Sequence, residues 1–95
     1  LAAALSAKYN LLLVLVREQL KDHGRNVWID GYVPSGEDRV WIVDDVLTTG
    51  KSINRVVKTL RSTKTKIIGC SVVVRRSGRK LTISCRHLMT AEDLM

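Results

Sequence analysis

The sequence predicts a small α/β fold built on a parallel sheet, and three observations lead there. Leu11–Val16 and Arg39–Val43 are near-continuous aliphatic segments, and Lys66–Val74 carries Ile67, Ile68, Val72, Val73 and Val74. Such runs mark strands covered on both faces, as in parallel sheets. Between the last two lies a helical period, with Ile53, Val56, Val57 and Leu60 at i, i+3, i+4 and i+7. Finally, 95 residues with 45% hydrophobic and 26% charged side chains suit one modest core. The three aliphatic strands are therefore expected side by side, with helices on each face of the sheet.

In chain order, Leu1–Tyr9 is rich in Ala and Leu and predicts a buried helix that Asn10 can close. Leu11–Val16 is the first strand. Arg17–Arg25 is charged and contains Gly24, which predicts a mobile loop. Val27–Val33 alternates as a short strand, and Pro34, Ser35 and Gly36 make a turn. Arg39–Val43 is the next strand and ends in Asp44 and Asp45. Ser52 is a plausible N-cap for the following helix, whose outer face carries Arg55, Lys58 and Arg61. Lys66–Val74 is a third strand and Leu81–Ser84 a short fourth. Thr90 can cap a terminal turn through Met95, with Asp93 placed to reach back.

Composition excludes several classes. No Phe, two Trp and two Tyr leave an aliphatic core, and two cysteines are too few for a disulfide scaffold. Cys70 and Cys85 read as reduced thiols, Cys70 as a small buried hydrophobe; a cytoplasmic location follows. The longest apolar run has six residues, against the ~20 of a membrane span. Leu1–Val16 lacks a basic n-region and a small-residue cleavage site, so it is not read as a signal peptide. The chain begins with Leu inside helix-forming residues, and further residues are expected upstream. Net charge is +7, and Lys51–Lys80 holds ten basic residues and no acid. That window suits an anionic partner, phosphate esters or nucleic acid. Spread over a helix face, a turn and a loop, it reads as a solvated basic face before it reads as a nucleic-acid site.

The chemistry concentrates in Val40–Ser52, VWIVDDVLTTGKS. It reads as a buried strand, two carboxylates at its C-terminal end, a small-residue loop and a helix start. Ligands of open α/β sheets bind beyond the carboxyl ends of the strands. Thr48, Thr49, Gly50, Lys51 and Ser52 offer backbone N–H groups, hydroxyls and a helix N-terminus, all suited to a phosphate monoester. Asp44 and Asp45 could bind sugar hydroxyls or hydrated Mg²⁺. Gly50-Lys51-Ser52 matches the end of a P-loop, but that motif needs Gly where Asp45 stands, so a nucleotide triphosphatase is excluded. His87 has no motif around it, Lys51 is expected to face solvent, and Trp41 is read as core packing. Trp28 and Tyr32 are candidates for a dimer interface.

All thirteen positions of Val40–Ser52 resemble the phosphoribosyl-pyrophosphate (PRPP) motif of type I phosphoribosyltransferases: four apolar residues, two acids, two apolar residues, then Thr-Thr-Gly-x-Ser. Val16–Gly24, VREQLKDHG, resembles the flexible catalytic loop of the orotate phosphoribosyltransferases, which carries Lys-Asp-His-Gly. Val72–Gly78 resembles the next family strand and Leu81–Met95 the C-terminal hood. The resemblance implies one phosphoribosyltransferase-like unit over 1–95, core about 1–76 and hood about 77–95, that starts partway into the family fold.

It further implies transfer of 5-phosphoribosyl from PRPP to orotate, giving orotidine 5′-monophosphate and pyrophosphate, a step of pyrimidine biosynthesis. Lys21, His23, Asp44 and Asp45 would be the catalytic group. Asp44 and Asp45 would anchor ribose hydroxyls and Mg²⁺, through water or through those hydroxyls. Val46, Leu47, Thr48, Thr49, Gly50, Lys51 and Ser52 would cradle the 5′-phosphate. Arg17 and Lys21 would neutralise pyrophosphate, and Arg76 would contact the base, orotate or another nucleobase. A homodimer is implied, because the family loop closes over the neighbouring subunit's site. The chain departs from the family at Glu18, where Lys is usual, and at Arg75, where Asp is usual. These departures and the basic window leave open a PRPP-sensing regulator or nucleic-acid-binding protein without catalysis.

Overall fold

Arg39–Leu47 forms a strand, β3, that runs four residues past the aliphatic segment and carries both acids within it. Its partner is β4, Lys66–Arg75. The computed structural model describes residues 1–21, 24–77 and 79–94. The two strands are parallel, in register from Arg39 opposite Lys66 to Leu47 opposite Arg75, with one irregularity between Val40 and Trp41. A parallel pair needs a crossover, and helix α2, Lys51–Ser62, supplies it. Strand β5, Arg86–Thr90, adds in parallel to β4, so this sheet has the order β3-β4-β5. The expected parallel-sheet α/β core is present.

Helix α2 covers one face of that sheet. Its Ile53, Val57 and Leu60 are buried against Ile42, Leu47, Cys70 and Val72. The core is aliphatic, as the lack of Phe requires. The helix starts one residue before Ser52, with Gly50 as N-cap at φ 96° and no capping side chain. Cys70 is buried, and burial with the neighbouring Cys85 pushes its thiol from 9.0 up to about 12. The folded state thus holds this proton more tightly than the unfolded chain. Stability contributed here is intact below about pH 9 and falls as pH climbs from 9 toward 12. Denaturant titrations across that range should show a drop that Cys70→Ala reduces.

The opposite face is less covered than the sequence suggests. Strand residues alternate between faces, so Trp41 points away from buried Ile42 and is 44% exposed, not a core residue. Its indole Nε1 donates to Ser71 Oγ at 2.9 Å, and its ring lies over Gly69, where a Cβ would come within 2.3 Å of it. A cavity of about 660 Å³ opens on this side, lined by Leu5, Leu13, Tyr32, Val40, Trp41 and Ile68 among others.

The chain up to Gly31 departs most from expectation. Helix α1, Ala2–Tyr9, ends as expected at left-handed Asn10 (φ 54°, ψ 46°), but none of its residues is buried. Leu11 and Leu12 are exposed, and the strand begins only at Val14. Strand β1, Val14–Lys21, pairs antiparallel with β2, Gly24–Gly31, and does not join the parallel sheet. The segment expected as a mobile loop is therefore largely a β-ribbon. A ribbon this rich in polar residues shows no apolar alternation, so its sequence looks like that of a loop. Asp22 and His23 lie outside the described residues.

Leu81–Ser84 is not a strand either. Leu81, Ile83 and Cys85 pack alternately against the core, but the Thr82 N–H donates to Asn54 Oδ1 at 2.9 Å instead of to a neighbouring strand. At the C-terminal end, the Thr90 N–H donates to Asp93 Oδ2 at 2.7 Å ahead of a short 3₁₀ turn, Glu92–Leu94. This is the expected reach-back, and it holds the Asp93 carboxyl below its ordinary value.

Candidate functional site

The C-terminal ends of β3 and β4 gather most of the candidate residues. Asp44 and Asp45 are exposed near the end of β3, and Asp44 Oδ1 accepts the Asp45 backbone N–H at 2.8 Å. Val46 is exposed, whereas the Leu47 side chain belongs to the core at 1% exposure. Leu47 can therefore face a ligand only through its backbone, and its carbonyl already accepts the Arg76 N–H at 2.8 Å. That bond sets Arg76, itself exposed, beside the start of the loop. Arg75 is half-buried, and its Nε donates to the Ser77 carbonyl at 2.8 Å.

Thr48, Thr49 and Gly50 form the bend into α2. The Asn54 N–H donates to Gly50 O at 2.9 Å as the first helical bond, so the N–H groups before it have no intrahelical acceptor. That of Lys51 leans on Thr49 Oγ1 at 3.4 Å. The hydroxyls of Thr48, Thr49 and Ser52 share an exposed rim around this helix end. Donors and dipole together make an anion seat.

Glycine at position 50 has two causes. Its φ of 96° disfavours any side chain, and a Cβ would lie 3.0 Å from the Leu81 backbone nitrogen. The Lys80–Thr82 segment thus closes one side of the loop, with the Lys80 N–H donating to Thr49 O at 3.1 Å. Asn54 clamps that segment: its Nδ2 donates to Lys80 O, and its Oδ1 accepts from Thr82 N–H at 2.9 Å and Thr82 Oγ1 at 3.0 Å. Sequence reasoning missed Asn54. The only signal was an amide side chain in the first turn of a helix, with no indication of its partner.

The ribbon residues are placed differently. The Arg17 guanidinium, expected to meet pyrophosphate, is paired through Nε with Asp30 Oδ2 at 2.9 Å across the ribbon, in an exposed ion pair. Lys21 ends β1 opposite Gly24, and the His23 expectation lies outside the described residues. Glu18, the residue that departs from the family pattern, is bonded to Arg55 on α2, and both side chains are about three-quarters buried. Its charge is thereby neutralised, and the ribbon is tied to the helix that begins at the loop. Losing a charge-assisted contact of this kind costs ~1.5–3 kcal/mol. Arg55→Ala should therefore speed amide exchange in β1 and β2 at least ~10-fold, measured by hydrogen–deuterium exchange. Unchanged exchange would show that the pair does not hold the ribbon.

A parallel sheet with two acids near one strand end, a glycine turn and an uncapped helix start defines an α/β protein whose strand-end loop presents open N–H donors. The phosphoribosyl transferase domain family matches residues 1–90, and the chain belongs to that family. It is 43% identical over 84 residues to the orotate phosphoribosyltransferase of Pyrococcus horikoshii, covering 87% of this chain and 45% of that protein. With the Pyrococcus furiosus orotate phosphoribosyltransferase the identity is 42% over 84 residues, covering 87% and 46%. The crystal structure of orotate phosphoribosyltransferase from Aeropyrum pernix superposes with a TM-score of 0.82 at 29% identity, over 98% of this chain and 55% of that one. The chain thus spans about half the length of these relatives.

Proposed function

We propose that this chain carries the PRPP-binding half of an orotate phosphoribosyltransferase, which transfers 5-phosphoribosyl to orotate and releases pyrophosphate. The observation that carries the reading is the β3–loop–α2 unit, in which Gly50 makes a left-handed turn between an acid pair and open helix N–H groups. The relatives' names supply the base. In this reading the backbone of Val46–Ser52 and the hydroxyls of Thr48, Thr49 and Ser52 bind the 5′-phosphate. Asp44 and Asp45 accept hydrogen bonds from the ribose hydroxyls, and Arg76 faces the base. Lys21 and His23, with Arg17 once it leaves Asp30, serve the departing pyrophosphate. Positive charge accumulates at C1 of the ribose as that group leaves, so fixed acids below the sugar and cations around the pyrophosphate lower the barrier together.

Two exposed carboxylates with no third metal-binding side chain clustered among the described residues fit Mg²⁺. That ion keeps several waters and takes one or two carboxylates plus substrate oxygens. Asp44 and Asp45 would hold it through water or ribose oxygens, and when bound it offsets pyrophosphate charge. We take residues 1–95 as one phosphoribosyltransferase-like unit, with 77–95 as its hood. A homodimer joined near the ribbon accords with Trp28 and Tyr32, each 38% exposed. A cytoplasmic location accords with two free cysteines, and no described helix is long and apolar enough to cross a membrane.

The test is to follow orotidine 5′-monophosphate formation from PRPP and orotate with Mg²⁺ in the full-length protein, against adenine and hypoxanthine as bases. Turnover with orotate alone supports the reading. PRPP binding without turnover on any base would favour the sensor. Nucleic acid should bind weakly and lose affinity steeply with salt, as unspecific phosphate contacts do.

A further inference from the structure

Cys70 and Cys85 are the two cysteines of this sequence, and their Sγ atoms lie 2.8 Å apart. That is well inside van der Waals contact for two sulfurs, although longer than the ~2.05 Å of a disulfide bond. The approach follows from the sheet. Ser71 pairs with Arg86 at the first rung of β4 and β5, so Cys70 and Cys85 each lie one residue before that rung. Neighbouring strands run ~4.8 Å apart, which falls within the ~4.4–6.8 Å between Cα atoms that a disulfide accepts. Cys70 is closed off from solvent at 1% exposure. Cys85 is half-buried and lines a cavity of about 460 Å³ with Arg75, Thr82 and Ser84.

We propose that Cys70 and Cys85 are a dithiol modification site that closes to an intramolecular disulfide on exchange with a small-molecule disulfide such as oxidised glutathione. The more accessible partner reacts first. The Cys85 thiolate attacks one sulfur of the reagent, forms a mixed disulfide and releases one thiol. The Cys70 sulfur attacks Cys85 Sγ as its proton passes to the departing glutathione sulfur. The bond to the remaining glutathione breaks, and that thiol leaves. Two protein thiols are oxidised and one disulfide is reduced to two thiols. Both steps need thiolate character at the attacking sulfur, so closure accelerates with pH. The bond ties the 79–85 segment, which closes on Gly50 through Lys80 and Leu81, to the middle of β4. Dithiol pairs that close reversibly are the form disulfides take in reducing compartments.

The experiment incubates the native protein in glutathione buffers of increasing oxidation, quenches with acid, and maps peptides after trypsin without reduction. The expected result is loss of both thiols with residues 67–75 joined to 81–86 in one chain, a faster closure at higher pH, and a melting temperature raised by several degrees. In Cys70→Ser the reaction should stop at a glutathione adduct on Cys85. Retention of both thiols in the most oxidising buffer would overturn the proposal. So would a persistent adduct on Cys85 in the unmutated protein, or a bond between two copies. None of these readouts depends on PRPP or orotate, so the outcome is separate from that of the proposed activity.

Discussion

Replacing both strand-end carboxylates, Asp44→Asn with Asp45→Asn, should weaken Mg²⁺-dependent PRPP binding by at least ~1.5 kcal/mol, roughly ten-fold. Each acid is expected to accept charge-assisted hydrogen bonds, which are about twice as strong as neutral ones. The amide variants keep the shape of the side chain. An amide at position 44 would still offer a carbonyl oxygen to the next backbone N–H, the bond that Asp44 Oδ1 now makes with Asp45. Both acids are exposed, so the melting temperature should hardly move, and the loss can be read as lost binding. Titration calorimetry with and without Mg²⁺ checks it. An affinity equal to that of the unmutated protein would remove the acids from the PRPP site.

The second large effect is on stability. Leu47→Ala should destabilise the fold by ~2–5 kcal/mol, the usual cost of emptying a fully buried leucine site. Small domains are stable by only ~5–15 kcal/mol, so the loss is a substantial fraction of the whole. Leu47 is 1% exposed and packs beneath α2 with Val57 and Leu60. It is also the last residue of β3, and its carbonyl holds the Arg76 N–H. A denaturant midpoint lowered without a change in slope would register the effect. The exposed Lys58, changed to Ala, should stay within ~0.5 kcal/mol. A Leu47→Ala midpoint as close to the parent as that would mean the site collapses without a cavity.

Much of the site was legible because it is contiguous. The acid pair, the hydroxyl loop and the helix start occupy thirteen neighbouring residues, and each is placed by the strand before it or the helix after it. The aliphatic runs found β3 and β4, and the 3.6-residue period found α2. The same reasoning failed on Leu11–Val16. A continuous apolar run states that a segment avoids water, not which strand it pairs with. It also read Arg17–Arg25 as a loop, since a ribbon of mostly polar residues carries no apolar period to distinguish it.

What the sequence determined by itself is local: an aliphatic core, a strand that carries two acids, and a glycine where the chain turns into a helix. The tertiary structure alone decided the pairs that join distant residues. Those are Glu18 with Arg55, Asn54 with Thr82, Gly50 against Leu81, and Cys70 beside Cys85. It also turned Trp41 outward, onto Gly69 and Ser71. Hydrophobic period and turn chemistry are set by near neighbours along the chain, so they can be read from residue types. A hydrogen bond or ion pair between residues 28 or 37 positions apart exists only once packing has fixed both backbones, and nothing in either residue's own neighbourhood encodes its partner.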